Sequence, residues 1–255
     1  MPKFILRFLA LSTLCTAAAF GQQGTFGQIV YGGSWQTTFT LINLNSITPA
    51  TVTLSFFGDN GSPLNAPVQG FGVTSAYTFA IPAGGAQNVV LSSSDQATTQ
   101  GWASMSATGG TVRGQGSFRV LLPKGGISEA AVPLTLPGSA LCIVPFPQSN
   151  PVILIPFDNT AGQYVTSLAL ANATNSTQAY VIEFDDQLNN PLVADTLPLT
   201  PMQHMAFVST DRYLALAGKK GILRIHADPA NLAVLGLLSN LTSTGAITTI
   251  IPVPQ

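Results

Sequence analysis

Two stretches of this chain repeat one pattern of strand-forming and turn-forming residues. Thr37–Leu64 and Thr166–Leu192 each contain a strand pattern, a polar loop, a second strand pattern, an acidic turn and a Pro-Leu exit. Farther along, Gly101 matches Gly221, and the residues after them align without gaps. Self-similarity at a fixed spacing indicates a repeated structural unit. The sequence therefore predicts one unit of roughly 100–120 residues occurring twice, enough for a separate core in each copy.

Within the unit the side chains alternate with a period of two, as in a half-buried β-strand. Phe39 and Leu41 oppose polar neighbours in the first strand, and Val52 and Phe56 share one face of the second. Asp-Asn-Gly at 59–61 tolerates positive φ and predicts a tight hairpin turn. Further strands are predicted at 77–81, 86–91, 102–107, 112–122 and 128–134, and in the second copy at 152–157, 165–172, 179–184, 195–199, 205–209, 221–226, 233–238 and 247–252. Short strands at this spacing predict an all-β sandwich or barrel.

One segment of the second copy departs from the β pattern. Ser209 is a suitable N-cap, good helix formers follow it, and Gly218 is a suitable stop. These residues predict one to two helical turns near 210–217.

The ends of the chain and its middle suggest a division into four parts. Residues 1–21 contain Lys3 and Arg7 before an apolar run and small residues, as in a secretory signal peptide, with cleavage before Gln22 or after Ala19. The first β-sandwich is then predicted at 22–135, a proline-rich apolar connector at 136–151 and the second sandwich at 152–255. We therefore expect a secreted protein that is extracellular, at the cell surface or in the periplasm.

The low charge of the chain excludes several classes of partner. Charged residues make up 7% of the sequence, against about 25% in ordinary soluble domains. Without a basic patch, binding to nucleic acid or to an anionic membrane surface is not expected. Beyond the signal peptide, no run approaches the roughly 20 apolar residues that a membrane-spanning helix needs. Cys142 is the only cysteine after the signal peptide, so it is either buried or paired with another chain.

Residues suited to catalysis or metal binding are scarce. The chain has two histidines, His204 and His226, and the matching positions of the first copy hold Ala86 and Ser106. No metalloprotease, nucleophile-elbow or phosphate-loop motif occurs, so the sequence predicts no enzyme and no cofactor. Glu183, Asp185 and Asp186, with Asn189 and Asn190, offer oxygen ligands, but their spacing differs from that of a calcium loop, and we expect a hydrophilic hairpin turn without a metal.

Aromatic residues provide the remaining route to a binding site. Trp35 and Tyr164 occupy matching positions just before the first long strand of each copy. Exposed aromatics beside polar residues suit a sugar or a partner protein. The alternative is that both rings seal the ends of the two sandwiches, since large aromatics are mostly buried. The ligand-binding set predicted on the first interpretation is Trp35, Gln36, Asp158, Asn159, Gln163 and Tyr164.

The repeated unit also resembles a known group of proteins. The stretch TTFTLINLNSITPATVTLSFFGDNGSPL, followed by IPAGGAQNVVL, resembles secreted bacterial immunoglobulin-like repeat proteins, an exported family of soil bacteria. The resemblance implies two tandem immunoglobulin-like antiparallel β-sandwich domains and transfers no catalytic residue. The second copy lacks the turn glycine after Asp186, which leaves its turn type open.

Three functions follow as expectations. The first is a non-enzymatic secreted or cell-surface module that mediates adhesion to a protein or matrix partner. The second is an extracellular polysaccharide-binding protein that uses the aromatic loops at the domain ends. The third is a hydrolase with carboxylates such as Asp158 or Asp186 in its site.

Overall fold

The protein is an all-β molecule of antiparallel sheets with one short helical segment. The computed structural model describes residues 21–122, 125–136, 151–242 and 245–254. We call residues 21–136 the first half and residues 151–254 the second half. The predicted signal peptide up to residue 20, Cys142 and most of the predicted connector lie outside the described residues. Among the described residues, no helix is both long enough and apolar enough to cross a membrane.

The first half consists of ten strands in one continuous sheet that folds over on itself. The strands are β1 Gln22–Tyr31, β2 Trp35–Asn43, β3 Ala50–Gly58, β4 Ala66–Val68, β5 Gly72–Thr74, β6 Ala76–Ile81, β7 Ala86–Ser92, β8 Thr99–Thr108, β9 Val112–Leu121 and β10 Ile127–Thr135. Their order is β5-β4-β7-β2-β9-β10-β1-β8-β3-β6. β1 pairs with β8 along most of its length and with the end of β10 at Thr25 and Phe26. This pairing joins the two layers along one side, so the first half is a nearly closed barrel.

The second half has two separate sheets. Its strands are β11 Val152–Asp158, β12 Tyr164–Asn172, β13 Gln178–Asp186, β14 Pro191–Leu199, β15 His204–Val208, β16 Lys220–His226, β17 Leu232–Asn240, β18 Ile247–Ile250 and β19 Val253–Pro254. The helix α1 Ser209–Arg212 and a 3₁₀ turn Leu214–Leu216 lie between β15 and β16. One sheet has the order β14-β13-β16-β11-β19 and the other β15-β12-β17-β18.

The strand order of the second half repeats that of the first. The row β6-β3-β8-β1 corresponds to β14-β13-β16-β11, and β7-β2-β9-β10 corresponds to β15-β12-β17-β18. The pairing register corresponds as well: Phe39 faces Gly116 in one half, and Leu168 faces Gly236 in the other. Positions aligned from sequence alone therefore occupy equivalent places in the sheets.

The predicted turn of the repeated unit has the same backbone bonds in both halves. In the first, Gly61 has φ +80° and its N–H donates to Gly58 O at 3.0 Å. In the second, Asn189 has φ +64° and its N–H donates to Asp186 O at 3.0 Å. Asparagine tolerates the left-handed region better than other residues with a side chain. Asn189 thus replaces the missing glycine.

Most of the buried apolar side chains form two clusters, one in each half, and the first cluster also includes Ala169 and Leu235 of the second half. Phe39, Leu41, Val52 and Phe56 are all fully buried in the first half. In the second core, the rings of Phe157 and Phe184 meet edge to face, with centroids 5.3 Å apart. Burial of these faces is the main favourable contribution to folding.

The predicted strands are present, with small differences at their ends. The strand predicted at 247–252 ends at Ile250, where it pairs with β17, before Pro252, which cannot donate to the ladder. The chain then crosses to the other sheet, where β19 pairs with β11. Four strands were not predicted: β1, β4, β5 and β19. The helical segment near 210–217 is confirmed. Ser209 is not its N-cap, since it is the first helical residue and its hydroxyl donates to Asn159 Oδ1 at 3.0 Å.

Candidate functional site

The aromatic loop of the first half is held against the core. Trp35 is the first residue of β2, faces the same side as the buried residues of that strand and meets Phe118 edge to face at 5.7 Å. Gln36 points to the opposite side, where its Oε1 accepts a hydrogen bond from Arg119 Nε at 2.7 Å. Trp35 therefore contributes to closing the end of the first half.

The corresponding loop of the second half is fixed by its own polar residues. Asn159 is buried, and its Oδ1 accepts hydrogen bonds from Thr166 N at 2.9 Å and Ser209 Oγ at 3.0 Å. Asp158 Oδ1 accepts from both the N–H and the hydroxyl of Thr160. These two side chains are used in ordering the loop, and Asn159 offers no exposed surface to a ligand.

The last two predicted residues lie where this loop enters β12. Gln163 is exposed, and its backbone O accepts from Leu241 N at 2.7 Å. Tyr164 is half-buried and pairs with Asn240. Leu122, just after β9, and Gly245, just before β18, lie beside the two aromatic loops. They are neighbours, since a Cβ added at Gly245 would lie 3.5 Å from Leu122 Cδ2. No hydrogen bond or ring contact joins the two predicted sets within the described ranges.

The polar residues that the two halves share are structural. Thr37 and Thr166 are fully buried at equivalent positions of β2 and β12. Thr37 Oγ1 donates to Val30 O at 2.7 Å and accepts from Val30 N at 2.9 Å. Thr166 makes the same pair of bonds with Asp158, at 3.1 and 2.9 Å. Each hydroxyl replaces a missing ladder partner and links the two layers of its half.

A buried asparagine closes the opposite end of each half. Asn43 Nδ2 lies within 3.4 Å of three backbone carbonyl oxygens, those of Thr48, Ile81 and Pro82. Asn172 Nδ2 contacts the equivalent set at 2.8–3.1 Å, those of Ser176, Leu199 and Thr200. Both side chains are fully buried. The T-x-x-x-x-x-N spacing common to the two sequence copies was the signal that these residues share a role.

The two halves contact each other through an apolar cluster. Trp102 is fully buried there with Ala171 and Ala233 of the second half. Its indole Nε1–H donates to Met202 O at 2.8 Å. A Cβ added at Gly27 would lie 3.4 Å from the backbone of Val234, so β1 and β17 approach closely. Trp102 aligns with Ile222 of the second copy and is buried between the halves.

A polar cluster continues this contact. His204 has a fully buried side chain, with Nδ1 2.7 Å from Asp59 Oδ1 and Nε2 2.8 Å from Gln28 Oε1. Burial acts to raise the pKa of Asp59, but hydrogen bonds from His204 and Gln100, together with the charge of His204, hold that pKa below its ordinary value. Asp59 was predicted only as a turn residue, and it also joins the two halves.

The acidic residues considered as calcium ligands pair with other side chains. Arg224 makes an ion pair with Asp185 and donates to Asn189 Oδ1 at 2.6 Å. His226 Nε2 lies 3.2 Å from Glu183 Oε2 on the same face.

Asp186 orders its own turn. Its Oδ1 accepts from Leu188 N and Asn190 N, and hydrogen bonds from Asn190 lead in lowering its pKa. Among the described residues, no group of three or more His, Cys, Asp or Glu could hold a metal ion.

An exposed aromatic surface lies at the two outermost strands of the first half. The β4–β5 hairpin carries Phe71 and Val73, which are 61% and 71% exposed. Phe71 contacts Tyr77 of β6 at 4.7 Å between ring centroids, and Tyr77 stacks on Phe79 at 5.1 Å. We call these four residues the edge patch. None of them was predicted as a site residue. Phe71 and Val73 lie on the β4–β5 hairpin, which has no match in the second copy, and Tyr77 and Phe79 were predicted only as strand residues.

Comparison with known proteins finds no matching family model, curated protein or solved structure.

Proposed function

We propose that this protein is a non-enzymatic, secreted or cell-surface module that binds a protein partner through the edge patch. Its scaffold is two tandem immunoglobulin-like β-sandwich domains, at 22–135 and 152–255, joined by the connector at 136–151. The repeated strand order and the shared pairs Thr37/Thr166 and Asn43/Asn172 support the duplication of a scaffold.

The edge patch is the observation that carries the binding proposal. It gathers two large, mostly exposed apolar side chains and two half-buried aromatic rings at one place on the surface. Contiguous exposed apolar surface of this kind marks sites of interaction, whereas single exposed apolar residues are ordinary. Aromatic side chains are also enriched among the residues that dominate binding energy.

The geometry of the patch favours a protein partner over a polysaccharide. Tyr77 and Phe79 stack at an interplanar angle of 24°, and Phe71 tilts against Tyr77, so the rings cover parts of one another's faces. A sugar needs an open ring face on which to lie. β5 and β6 are the outermost strands of their sheet, with a strand partner on one side only. Such edges provide main-chain hydrogen bonds to an added strand of another protein.

The absence of catalysis is part of the proposal, and it rests on how the ionisable groups are used. His204 and His226 each contact a carboxylate, and Arg224 is paired with Asp185. Asp195 accepts a 2.7 Å hydrogen bond from the Tyr213 hydroxyl, which leads in lowering the pKa of that carboxyl. These contacts give structural roles to the groups that acid–base catalysis would need.

The proposal is tested by retention of surface material on the immobilised protein. Envelope fractions of the producing cells are divided into untreated, protease-treated and periodate-treated samples. We expect retention that is lost after protease and kept after periodate. Replacing both Phe71 and Val73 by Ser should lower the affinity about 30-fold, the effect of removing one central hot spot.

A matched control uses equally exposed apolar residues elsewhere. Ile47 and Leu188 are 85% and 82% exposed outside the patch, and their double replacement by Ser should leave retention unchanged. Retention of nothing, or an equal loss in both double variants, would refute the edge-patch proposal. Loss after periodate alone would favour the carbohydrate prediction, which Trp35→Ala and Tyr164→Ala then test.

A further inference from the structure

The two halves meet through a different face of each. The first half contributes the joint surface, which consists of Gln28, Asp59 and Trp102. The second half contributes the joint row, three cross-strand neighbours on β15, β12 and β17: His204, Ala171 and Ala233. The indole packs on the two alanines, and the imidazole contacts the other two residues of the joint surface. Because the two faces differ, each half also has a counterpart of the face that the other half uses.

The counterpart of the joint surface in the second half is an open cleft. The matching registers and turn positions place three residues of the second half where the joint surface lies in the first: Pro156, Gln187 and Ile222. They line a cleft of about 540 Å³ together with Leu238 and Ile250, within the roughly 300–1,000 Å³ of ordinary binding sites. The place that is filled on the first half is therefore open on the second.

The counterpart of the joint row in the first half is exposed. It consists of three cross-strand neighbours on β7, β2 and β9, which we call the outer row: Ala86, Ile42 and Arg113. Two of its side chains are larger than the alanines of the joint row. The cleft in turn has Ile222 where the joint surface has the larger Trp102. A large residue against small ones within the chain thus corresponds to a smaller residue against larger ones, which keeps the summed volume of the contact.

The charges of the outer row and the cleft also match. The guanidinium of Arg113 makes no ion pair among the described residues and donates only to the Val112 carbonyl. The cleft contains the carboxylate of Asp158, whose cross-strand neighbour is Lys220. An arginine docked beside that carboxylate would form a charge-assisted hydrogen bond.

We propose that this chain self-associates head to tail, with the outer row of one copy seated in the cleft of the next. The occupant is a second copy, because neighbouring repeats contact each other through one recurring interface, and the outer row is the first-half form of the surface that already makes this contact. An interface between two different faces is not used up by pairing, so copies form an open array or a ring. The edge patch takes no part and stays available to its own partner.

Sedimentation equilibrium of the purified protein tests the association. The weight-average mass of the wild type should rise with concentration between about 1 μM and about 1 mM. Ile222→Lys, in the cleft, and Ile42→Lys, in the outer row, should each lower the association constant about 30-fold or more, the effect of losing a central apolar contact. Val181→Lys is the matched control, since Val181 is 39% exposed and Ile222 37%. It lies on the same sheet outside the cleft and should leave the association unchanged.

A mixture of the two disabled variants separates a head-to-tail contact from a symmetric one. In Ile222→Lys the outer row is intact, and in Ile42→Lys the cleft is intact. An equimolar mixture should therefore reach the mass of two chains and stop there, because the two remaining faces are both blocked. A symmetric contact through the cleft would instead leave Ile42→Lys as associated as the wild type, which would overturn the proposal.

Further controls fix how the result is interpreted. Circular dichroism establishes that each variant is folded, and if Ile222→Lys is not, Pro156→Lys replaces it, because Pro156 is exposed in the same cleft. The double variant Phe71→Ser, Val73→Ser should associate as the wild type does, so this test is independent of edge-patch binding. A wild-type mass of one chain up to about 1 mM, an equal loss for Val181→Lys, or a loss in the edge-patch variant would overturn the proposal.

Discussion

Replacement of Asn172 by alanine tests whether the buried asparagine supports the end of the second half. The side chain donates to Ser176 O, Leu199 O and Thr200 O and accepts from Thr174 N at 3.0 Å and Tyr180 OH at 3.3 Å. Alanine removes all of these bonds at once. Because the side chain is fully buried, the deepest of its partners, Leu199 O, is left without a replacement donor.

The loss in the free energy of unfolding depends on which hydrogen-bond partners of Asn172 remain buried in the variant. The contact with Leu199 O is buried, so leaving that carbonyl without a donor costs about 1–3 kcal/mol. The carbonyls of Ser176 and Thr200 are in partly buried contacts, where water replaces part of the loss. With the accepted bonds included, the free energy of unfolding should fall by about 3 kcal/mol. For a chain of this length that corresponds to a melting temperature about 6–12 °C lower.

Urea unfolding monitored by circular dichroism measures this change, with two companion variants. Asn175→Ala alters an exposed asparagine of the same loop and should change the free energy by less than about 0.5 kcal/mol. Asn172→Asp keeps the size but removes the donors and buries a charge, so it should cost at least as much as alanine. A loss below about 1 kcal/mol for Asn172→Ala, or tolerance of Asn172→Asp, would refute the reasoning.

Three further results are expected. Gly61→Ala should lower the free energy of unfolding in urea by about 2 kcal/mol or more, because residue 61 has a positive φ and an added Cβ would collide with Pro201 O of the second half. Asn189→Gly, at the equivalent turn position, should change the free energy of unfolding by under about 1 kcal/mol. Equal losses in the two variants would contradict this. Because the pKa of Asp59 is lowered in the folded protein, its carboxylate stabilises the fold above about pH 4, and that contribution is lost as the pH falls through the folded pKa. Asp59→Asn should therefore weaken the fall in the free energy of unfolding at acid pH. Burial, followed by the hydrogen bond to the Asp195 carboxylate, raises the pKa of Tyr213 to about 12. The free energy of unfolding should therefore decline as the pH rises from about 10 toward 12. Tyr213→Phe should remove part of this decline, and NMR shifts of the carboxyl group should show a raised pKa of Asp195.

Most strands could be predicted because their alternation reflects burial on one face. β1 was missed because Gly24 and Gly27 interrupt its apolar pattern. The reason is spatial: a Cβ at Gly24 would lie 2.6 Å from the side chain of Leu134, and Gly27 lies against the backbone of the second half. Both glycines permit close approach to distant parts of the chain, which local periodicity does not reveal.

The polar contacts between the halves were beyond sequence reasoning for the same reason. Asp59 and His204 are 145 residues apart, and nothing in either segment indicates how the halves pack. Asn43 and Asn172 were visible only as part of the repeated pattern, since an asparagine after a strand ordinarily indicates an exposed loop. Their burial depends on carbonyl groups that only the folded chain assembles.

The matching strand registers of the two halves have a consequence for biosynthesis. A strand of one half has nearly the right pattern to pair inside the other, so the unfolded chain is exposed to exchange of strands between its own halves. The β4–β5 hairpin is found in the first half alone, and the helical segment from Ser209 to Leu216 in the second alone. Each of them is held by contacts within its own half: Val68 of β4 pairs with Leu91 of β7, and Ser209 donates to Asn159. A strand exchanged between the halves would lack these contacts, so we expect the two elements to favour pairing of each strand within its own half.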